Sequence, residues 1–132
     1  MTAPAQAEKI SVLLIDHTPR ILHMLERMVG GFPELHVLAA LGTVDEALAR
    51  AHDLHPQVVV YGFSVRLPQT VAALPRVRAA FRDSFIVASS FDPDDAGERA
   101  ARDAGLDTYV SGFELDIRLV PVLLEWARSQ KP

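Results

Sequence analysis

The sequence contains no cysteine, which excludes disulfide frameworks, thiolate metal sites and cysteine nucleophiles. It has no apolar run near the ~20 residues that a membrane-spanning helix needs. Its net charge of −4 gives no basic excess for a nucleic-acid interface. Lysine is nearly missing as well, since only Lys9 and Lys131 occur. The missing apolar run and the missing basic excess together predict a protein that binds neither membrane nor nucleic acid.

The composition that remains is that of one globular domain. The chain has 132 residues, of which 49% are hydrophobic and 23% are charged. Residues 1–9 are polar and alanine-rich and lack the pattern of a signal peptide, so we predict a disordered leader and a cytoplasmic location. Residues 10–129 are expected to form a single domain, which leaves no length for an output domain.

Apolar runs alternate with amphipathic stretches along this domain. Continuous apolar runs, typical of strands buried on both faces, occur at residues 11–15, 35–41, 58–61, 85–89 and 108–110. Amphipathic stretches between and after them predict five helices. The pattern predicts a flavodoxin-like α/β fold with a five-stranded parallel sheet in the order 2-1-3-4-5. Its functional crevice is expected at the carboxyl ends of strands one and three.

Local signals set the expected helix boundaries. Thr43, with Glu46 three residues later, predicts a capping box at the start of the second helix. Pro75 interrupts the third helical stretch, at residues 70–82, and should kink it or delay its start. The acids of residues 92–95 predict the start of the fourth helix, and the last helix is expected to begin near Asp116.

Four stretches carry a resemblance to a known family. They are VLLIDHTP at residues 12–19, HPQVVVYG at 55–62, FIVASS at 85–90 and DAGLDTYVSG at 103–112. In order and spacing they resemble the receiver domain of two-component response regulators, over residues 10–129. The resemblance implies the same flavodoxin-like fold and a place in two-component signal transduction or a phosphorelay.

The resemblance also implies a chemical site, from which this sequence departs. Receivers transfer a phosphoryl group from histidine to an aspartate that ends strand three. Two acids after strand one hold Mg²⁺, and a hydroxyl after strand four and a lysine after strand five bind the phosphoryl oxygens. The matching positions are Asp16 and His17 for the two acids, Gly62 for the acceptor aspartate, Ser89 for the hydroxyl and Gly112 for the lysine. The family's switch aromatic matches Tyr109.

No shift of register supplies the missing groups. Residues 54–82 contain no aspartate or glutamate, and residues 10–130 contain no lysine. An acyl phosphate needs a carboxylate nucleophile, and Mg²⁺ needs several hard oxygen ligands. We therefore predict a degenerate phosphoacceptor pocket with no catalytic residue, weak or absent Mg²⁺ binding, no other metal and no cofactor.

The leading hypothesis is a stand-alone degenerate receiver, not an enzyme, that regulates signalling through phosphorylation-independent protein–protein interaction. Its partner would be another protein or a second copy in a homodimer. The resemblance implies a contact face on helix four, strand five and helix five, with the candidates Glu98, Tyr109, Arg118, Val122 and Trp126.

Two alternatives stay open. The altered crevice near Asp16, His17 and Gly62 would suit a sensor of a small molecule or an anion. Clustered charges are read as solvated surface, with complementary docking faces as the other interpretation. The basic cluster is Arg66, Arg76, Arg78 and Arg82, and the acidic cluster is Asp92, Asp94, Asp95 and Glu98.

Overall fold

The computed structural model describes residues 9–130. The predicted leader at residues 1–9 therefore lies, apart from Lys9, outside the described residues, and so does Lys131. None of the helices in the described part of the chain is both long enough and apolar enough to cross a membrane.

Five strands form one parallel sheet. They are β1 (Ile10–Asp16), β2 (Leu35–Leu41), β3 (Val58–Phe63), β4 (Phe85–Ser90) and β5 (Thr108–Ser111). Every neighbouring pair is parallel, and the spatial order is β2-β1-β3-β4-β5. The predicted fold class and strand order are confirmed. Because all five strands point the same way, their carboxyl ends lie along one edge of the sheet.

Seven helices flank the sheet within residues 9–130, rather than the predicted five. They are α1 (Pro19–Gly30), α2 (Val44–Ala49), α3 (Ala51–Leu54), α4 (Pro68–Ala72), α5 (Leu74–Ala80), α6 (Ala96–Asp103) and α7 (Leu115–Ser129). A 3₁₀ turn, Gly112–Glu114, leads into α7. The number differs because the second and third predicted helices each break in two.

Each break has a local cause. Arg50 leaves helical geometry at φ −107° and ψ 4°, so α2 ends there and α3 begins at the next residue. Pro75 has no amide hydrogen to donate, so it is tolerated in the first turn of α5, where backbone amides have no acceptor within the helix. The predicted interruption at Pro75 is therefore a break at Ala73 between α4 and α5.

The sheet is covered on both faces, which explains the continuous apolar runs. Leu13 and Ile15 face the layer of α2, α5 and α6, whereas Val12 and Leu14 face α1 and α7. Alternate residues of each strand thus enter two separate cores. This double packing fixes the register at the carboxyl edge, where the candidate residues lie.

Two helix starts test the sequence signals. The Thr43 hydroxyl accepts a hydrogen bond from the Glu46 amide at 3.1 Å, which confirms the predicted cap of α2. The helix entry predicted at residues 92–95 lies directly before α6, which begins at Ala96 with Asp95 as its N-cap residue. Asp94 has a φ of 59°, a left-handed conformation that turns the chain before the helix can begin.

Candidate functional site

The sheet brings three of the predicted pocket residues side by side. Asp16 at the end of β1 pairs with Gly62 on β3, and Gly62 pairs with Ser89 on β4. Gly112 follows β5 directly in the chain and opens the 3₁₀ turn. The residues that the resemblance assigns to one pocket therefore converge on the carboxyl edge of the sheet.

The carboxylate of Asp16 occupies the space beside Gly62. A Cβ atom added to Gly62 would collide with Oδ2 of Asp16 and would lie 2.8 Å from its Cγ. Asp16 is 6% exposed, and its Oδ1 accepts a hydrogen bond from the Thr18 amide at 2.8 Å. While this carboxylate stays in place, no residue larger than glycine fits at position 62.

Burial changes the ionisation of the groups around Asp16. Loss of solvent raises the pKa of its carboxyl group, although the Thr18 hydrogen bond and nearby His17 oppose that change. Nδ1 of His17 lies 3.9 Å from Oδ1 of Asp16, too far for a hydrogen bond. Burial, and then the Asp16 charge, raise the pKa of Tyr61, whose hydroxyl donates to the Thr70 carbonyl at 2.7 Å.

Phe91 fills the space beside Gly112 in the same way. A Cβ atom on Gly112 would lie 2.6 Å from Cγ and Cδ2 of the Phe91 ring. That ring packs edge-on against Phe113, with centroids 5.2 Å apart. Phe91 directly follows the stretch FIVASS, and sequence reasoning missed it because the resemblance assigns no role to that position.

The two hydroxyls that end β4 have different environments. Ser89 is 4% exposed, and its Oγ has no hydrogen-bond partner among residues 9–130. The hydroxyl of the adjacent Ser90 lies 2.8 Å from that of Tyr109, which also donates to the Ser90 carbonyl at 3.1 Å. A side chain on Gly97 of α6 would collide with Ser90, so this glycine makes room for the pair. Tyr109 is thus bonded to Ser90, whereas Ser89 holds the position that the resemblance assigns to the phosphoryl-binding hydroxyl.

Two clefts open at this edge. The Ser89 cleft measures about 210 Å³, and its lining includes Asp16, His17, Phe63, Ser89, Phe91 and Asp92. The Gly62 cleft measures about 290 Å³, and its lining includes His17, Thr43, Tyr61, Gly62, Gln69 and Arg76. The crevice predicted around Asp16, His17 and Gly62 is therefore divided in two, and His17 borders both parts.

Asp92 belongs to this edge and not to a helix start. Its Oδ1 accepts from the Ser64 hydroxyl at 3.2 Å, and its Oδ2 accepts from the Val65 amide at 2.8 Å. These bonds tie the loop after β4 to the loop after β3 and use both oxygens. No group of three or more histidine, aspartate or glutamate side chains suited to a metal ion occurs in the described part of the chain.

The candidate contact residues have mixed environments. Glu98 and Arg118 are exposed, and they form ion pairs with Arg102 and Glu114 at 3.5 and 3.3 Å. Tyr109, Val122 and Trp126 are half-buried, and the Trp126 ring stacks on Phe85 with centroids 5.2 Å apart. The large apolar side chains exposed around this edge are instead those of Phe91, Phe113 and Ile117, which sequence reasoning missed.

Part of the clustered charge is used inside the domain. Arg78 donates to Asp107 at 2.9 Å and to the carbonyls of Phe81, Arg82 and Ser84. Arg76 lies 3.3 Å from Asp45. On the acidic side, Asp95 and Glu98 pair with arginines of α6. These pairings weaken the interpretation as complementary docking faces.

Comparisons with known proteins support the fold. No family model matches the sequence, and no curated protein matches it. Among solved structures, the chain is similar to the RcsB response regulator of Salmonella typhimurium, with 13% identity and a TM-score of 0.81 over 95% of this chain. It spans 63% of the length of that RcsB chain.

Two isolated receiver domains are similar over nearly their whole length. The signal receiver domain of NarL from Mycobacterium tuberculosis shares 18% identity, with a TM-score of 0.77 over 93% of this chain and 99% of its own. A CheY-like receiver domain from Methanospirillum hungatei shares 17% identity, with a TM-score of 0.75 over 93% and 97%. The chain therefore has the fold of receiver domains.

Proposed function

We propose that this chain is a receiver-like signalling module that regulates through protein contacts and without aspartyl phosphorylation. The observation that carries the proposal is the filled space beside Gly62. The family's phosphoacceptor would stand at this position, and the Asp16 carboxylate lies where its side chain would begin.

The second missing group supports the same reading. The family's lysine would stand at Gly112, where the Phe91 ring occupies the space instead. A developing phosphoryl charge needs positive groups around it, and residues 10–130 contain no lysine. Of the positions with which the family holds Mg²⁺, only that of Asp16 carries a carboxylate here, which is fewer oxygen ligands than the ion prefers. We infer that the module is not an enzyme and binds Mg²⁺ weakly or not at all.

Exposed apolar side chains favour a contact surface at the start of α7. Phe113 is 69% exposed and Ile117 is 70% exposed, four residues further along the chain. Both stand beside the carboxyl edge, and Phe113 packs against Phe91. We propose that a cytoplasmic protein partner, or a second copy of the chain, covers this surface.

Intact-mass measurement tests the absence of phosphorylation. The protein is incubated with acetyl phosphate and Mg²⁺, beside a receiver domain that carries the acceptor aspartate. We expect a phosphoryl adduct on the control receiver alone. A stable adduct on this chain would overturn the proposal.

Sedimentation velocity over a range of concentrations tests the contact surface. If the chain self-associates, Ile117→Glu should shift the equilibrium towards monomer, because it places a charge in the apolar contact. Arg128→Glu, also on the exposed surface of α7, is the matched control and should leave the equilibrium unchanged. Equal weakening by both variants would contradict the proposed surface.

A further inference from the structure

The Ser89 cleft contains a hydroxyl without a partner. Ser89 is 4% exposed, and its Oγ has no hydrogen-bond partner among residues 9–130, whereas Ser90 beside it is bonded to Tyr109. Buried hydroxyls in folded proteins are normally paired, because an unpaired one loses its hydration without compensation. Because Ser89 is one of the residues that line the cleft, a ligand there is placed to supply the missing bond.

The charges of the cleft favour a positively charged ligand. Asp16 and Asp92 are both buried carboxylates, while Arg66, the cation of the lining, belongs to an exposed residue. Both oxygens of Asp92 already accept hydrogen bonds. Thr18 donates to Asp16, through its amide to Oδ1 at 2.8 Å and through its side chain, and no other residue of the described chain donates to this carboxylate.

The walls of the cleft suit a cation that carries an apolar group. Phe63, Phe91 and Ile21 contribute aromatic and aliphatic surface. Aromatic rings attract organic cations through their electron-rich faces. The volume of about 210 Å³ is below that of the pockets that take drug-sized ligands, from about 300 Å³ upwards, which favours a small ligand over a nucleotide.

We propose that the Ser89 cleft binds a small organic amine as its ammonium ion, with Asp16 Oδ2 and Ser89 Oγ as acceptors. This inference takes up the small-molecule alternative at the crevice and does not depend on the contact surface at α7. It also narrows that alternative, because an anion would face the buried carboxylate of Asp16.

Three probes of one shape and different charge test the ligand class. Benzylamine, benzyl alcohol and benzoate are titrated at neutral pH into the ¹⁵N-labelled protein, and amide shifts are followed. Benzylamine should shift the amides of Ser89, Ser90 and Phe91 and saturate, whereas benzoate should not. Equal binding of benzyl alcohol would overturn the amine class but leave a ligand site, and failure of all three would overturn the site.

Variants test the two acceptors. Asp16→Asn keeps the side-chain shape and removes the charge, and it should weaken benzylamine binding about tenfold or more, as expected for a charged hydrogen bond. Ser89→Ala should weaken it severalfold. Asp45→Asn, an exposed carboxylate on the Gly62 cleft, is the matched control and should bind as the native chain does.

The variants also separate binding at this cleft from charge attraction in general. An equal loss in Asp45→Asn and Asp16→Asn would overturn the proposal, and so would unchanged affinity in Asp16→Asn. The amide spectrum of each variant, recorded before titration, shows that the chain is folded. Sedimentation velocity of the native chain, with and without benzylamine, measures self-association through the α7 surface and not ligand binding. The two proposals can therefore fail independently.

Discussion

Gly62→Ala should destabilise the domain strongly, although it adds only one methyl group. The new Cβ would collide with Oδ2 of Asp16, so the carboxylate must move. Overpacking in a core costs about 1–3 kcal/mol, and loss of a hydrogen bond to a charged group costs about 1.5–3 kcal/mol. The Thr18 amide makes that bond here. Replacement of glycine by alanine also restricts the unfolded chain, which offsets about 0.4–1 kcal/mol of this loss.

The net expectation is a loss of about 2–5 kcal/mol in the free energy of unfolding. Urea unfolding followed by far-UV circular dichroism measures it. Gly42→Ala is the matched control, since a Cβ there meets no atom within 4 Å. Its free energy of unfolding should lie within about 0.5 kcal/mol of the native value.

A double-mutant cycle assigns the loss to Asp16. In an Asp16→Ala background the offending carboxylate is gone, and the Cβ atoms at positions 16 and 62 would lie 3.4 Å apart, an ordinary contact. Gly62→Ala should then cost little, which gives a coupling energy of about 2 kcal/mol or more. A loss below about 0.5 kcal/mol in the native background, or a coupling energy near zero, would refute the reasoning.

Other contacts in the domain give three further expected outcomes. Gly112→Ala should cost about 1 kcal/mol, less than Gly62→Ala, because the exposed Phe91 ring can move outward, and Phe91→Ala should remove that cost. Arg78→Ala should lower the free energy of unfolding by about 2–4 kcal/mol, because several carbonyls lose their donor and Asp107 keeps only the Ile86 amide. Arg76→Ala is the control, because the Arg76 side chain is 57% exposed whereas that of Arg78 is 22% exposed. It should change the free energy of unfolding by at most about 0.5 kcal/mol, and equal losses in both variants would contradict the role given to the Arg78 contacts. Asp16 has a pKa raised above its usual 3.8, so the folded chain holds this proton more tightly than the unfolded chain. The free energy of unfolding of the native chain should therefore fall relative to that of Asp16→Asn as pH rises from about 3.8 to the raised pKa, and then level off. Urea unfolding of both chains across this pH range measures the difference, and a difference that does not change with pH would contradict the expectation.

The strands and their order could be read from the sequence because burial on both faces leaves a direct signal. Residues 35–41 form a strand with the predicted bounds, and the other four strands are longer than predicted by one or two residues. Helix breaks were harder to place. Pro75 signals an interruption, but whether the helix kinks or divides depends on packing at Ala73, which local sequence does not specify.

The sequence predicted that Asp16, Gly62 and Ser89 share the carboxyl edge of the sheet, but not how their surroundings are arranged. The sequence indicates that position 62 lacks a carboxylate, yet it cannot show that Asp16 from the neighbouring strand fills the space. Asp92 resembles a helix-start acid locally, and its real partners, Ser64 and Val65, lie 28 and 27 residues away in the chain. Such contacts depend on the closed sheet, and no periodicity in the sequence encodes them.

The occupied spaces beside the two glycines limit how this edge could be redesigned. A carboxylate introduced at Gly62 would meet the side chain of Asp16, and a lysine introduced at Gly112 would meet Phe91. A phosphotransfer site built here would therefore need changes at Asp16 and Phe91 as well as at the two glycines. Each glycine is thus coupled to a second position, and a single substitution at either one would lower stability before it added any chemistry.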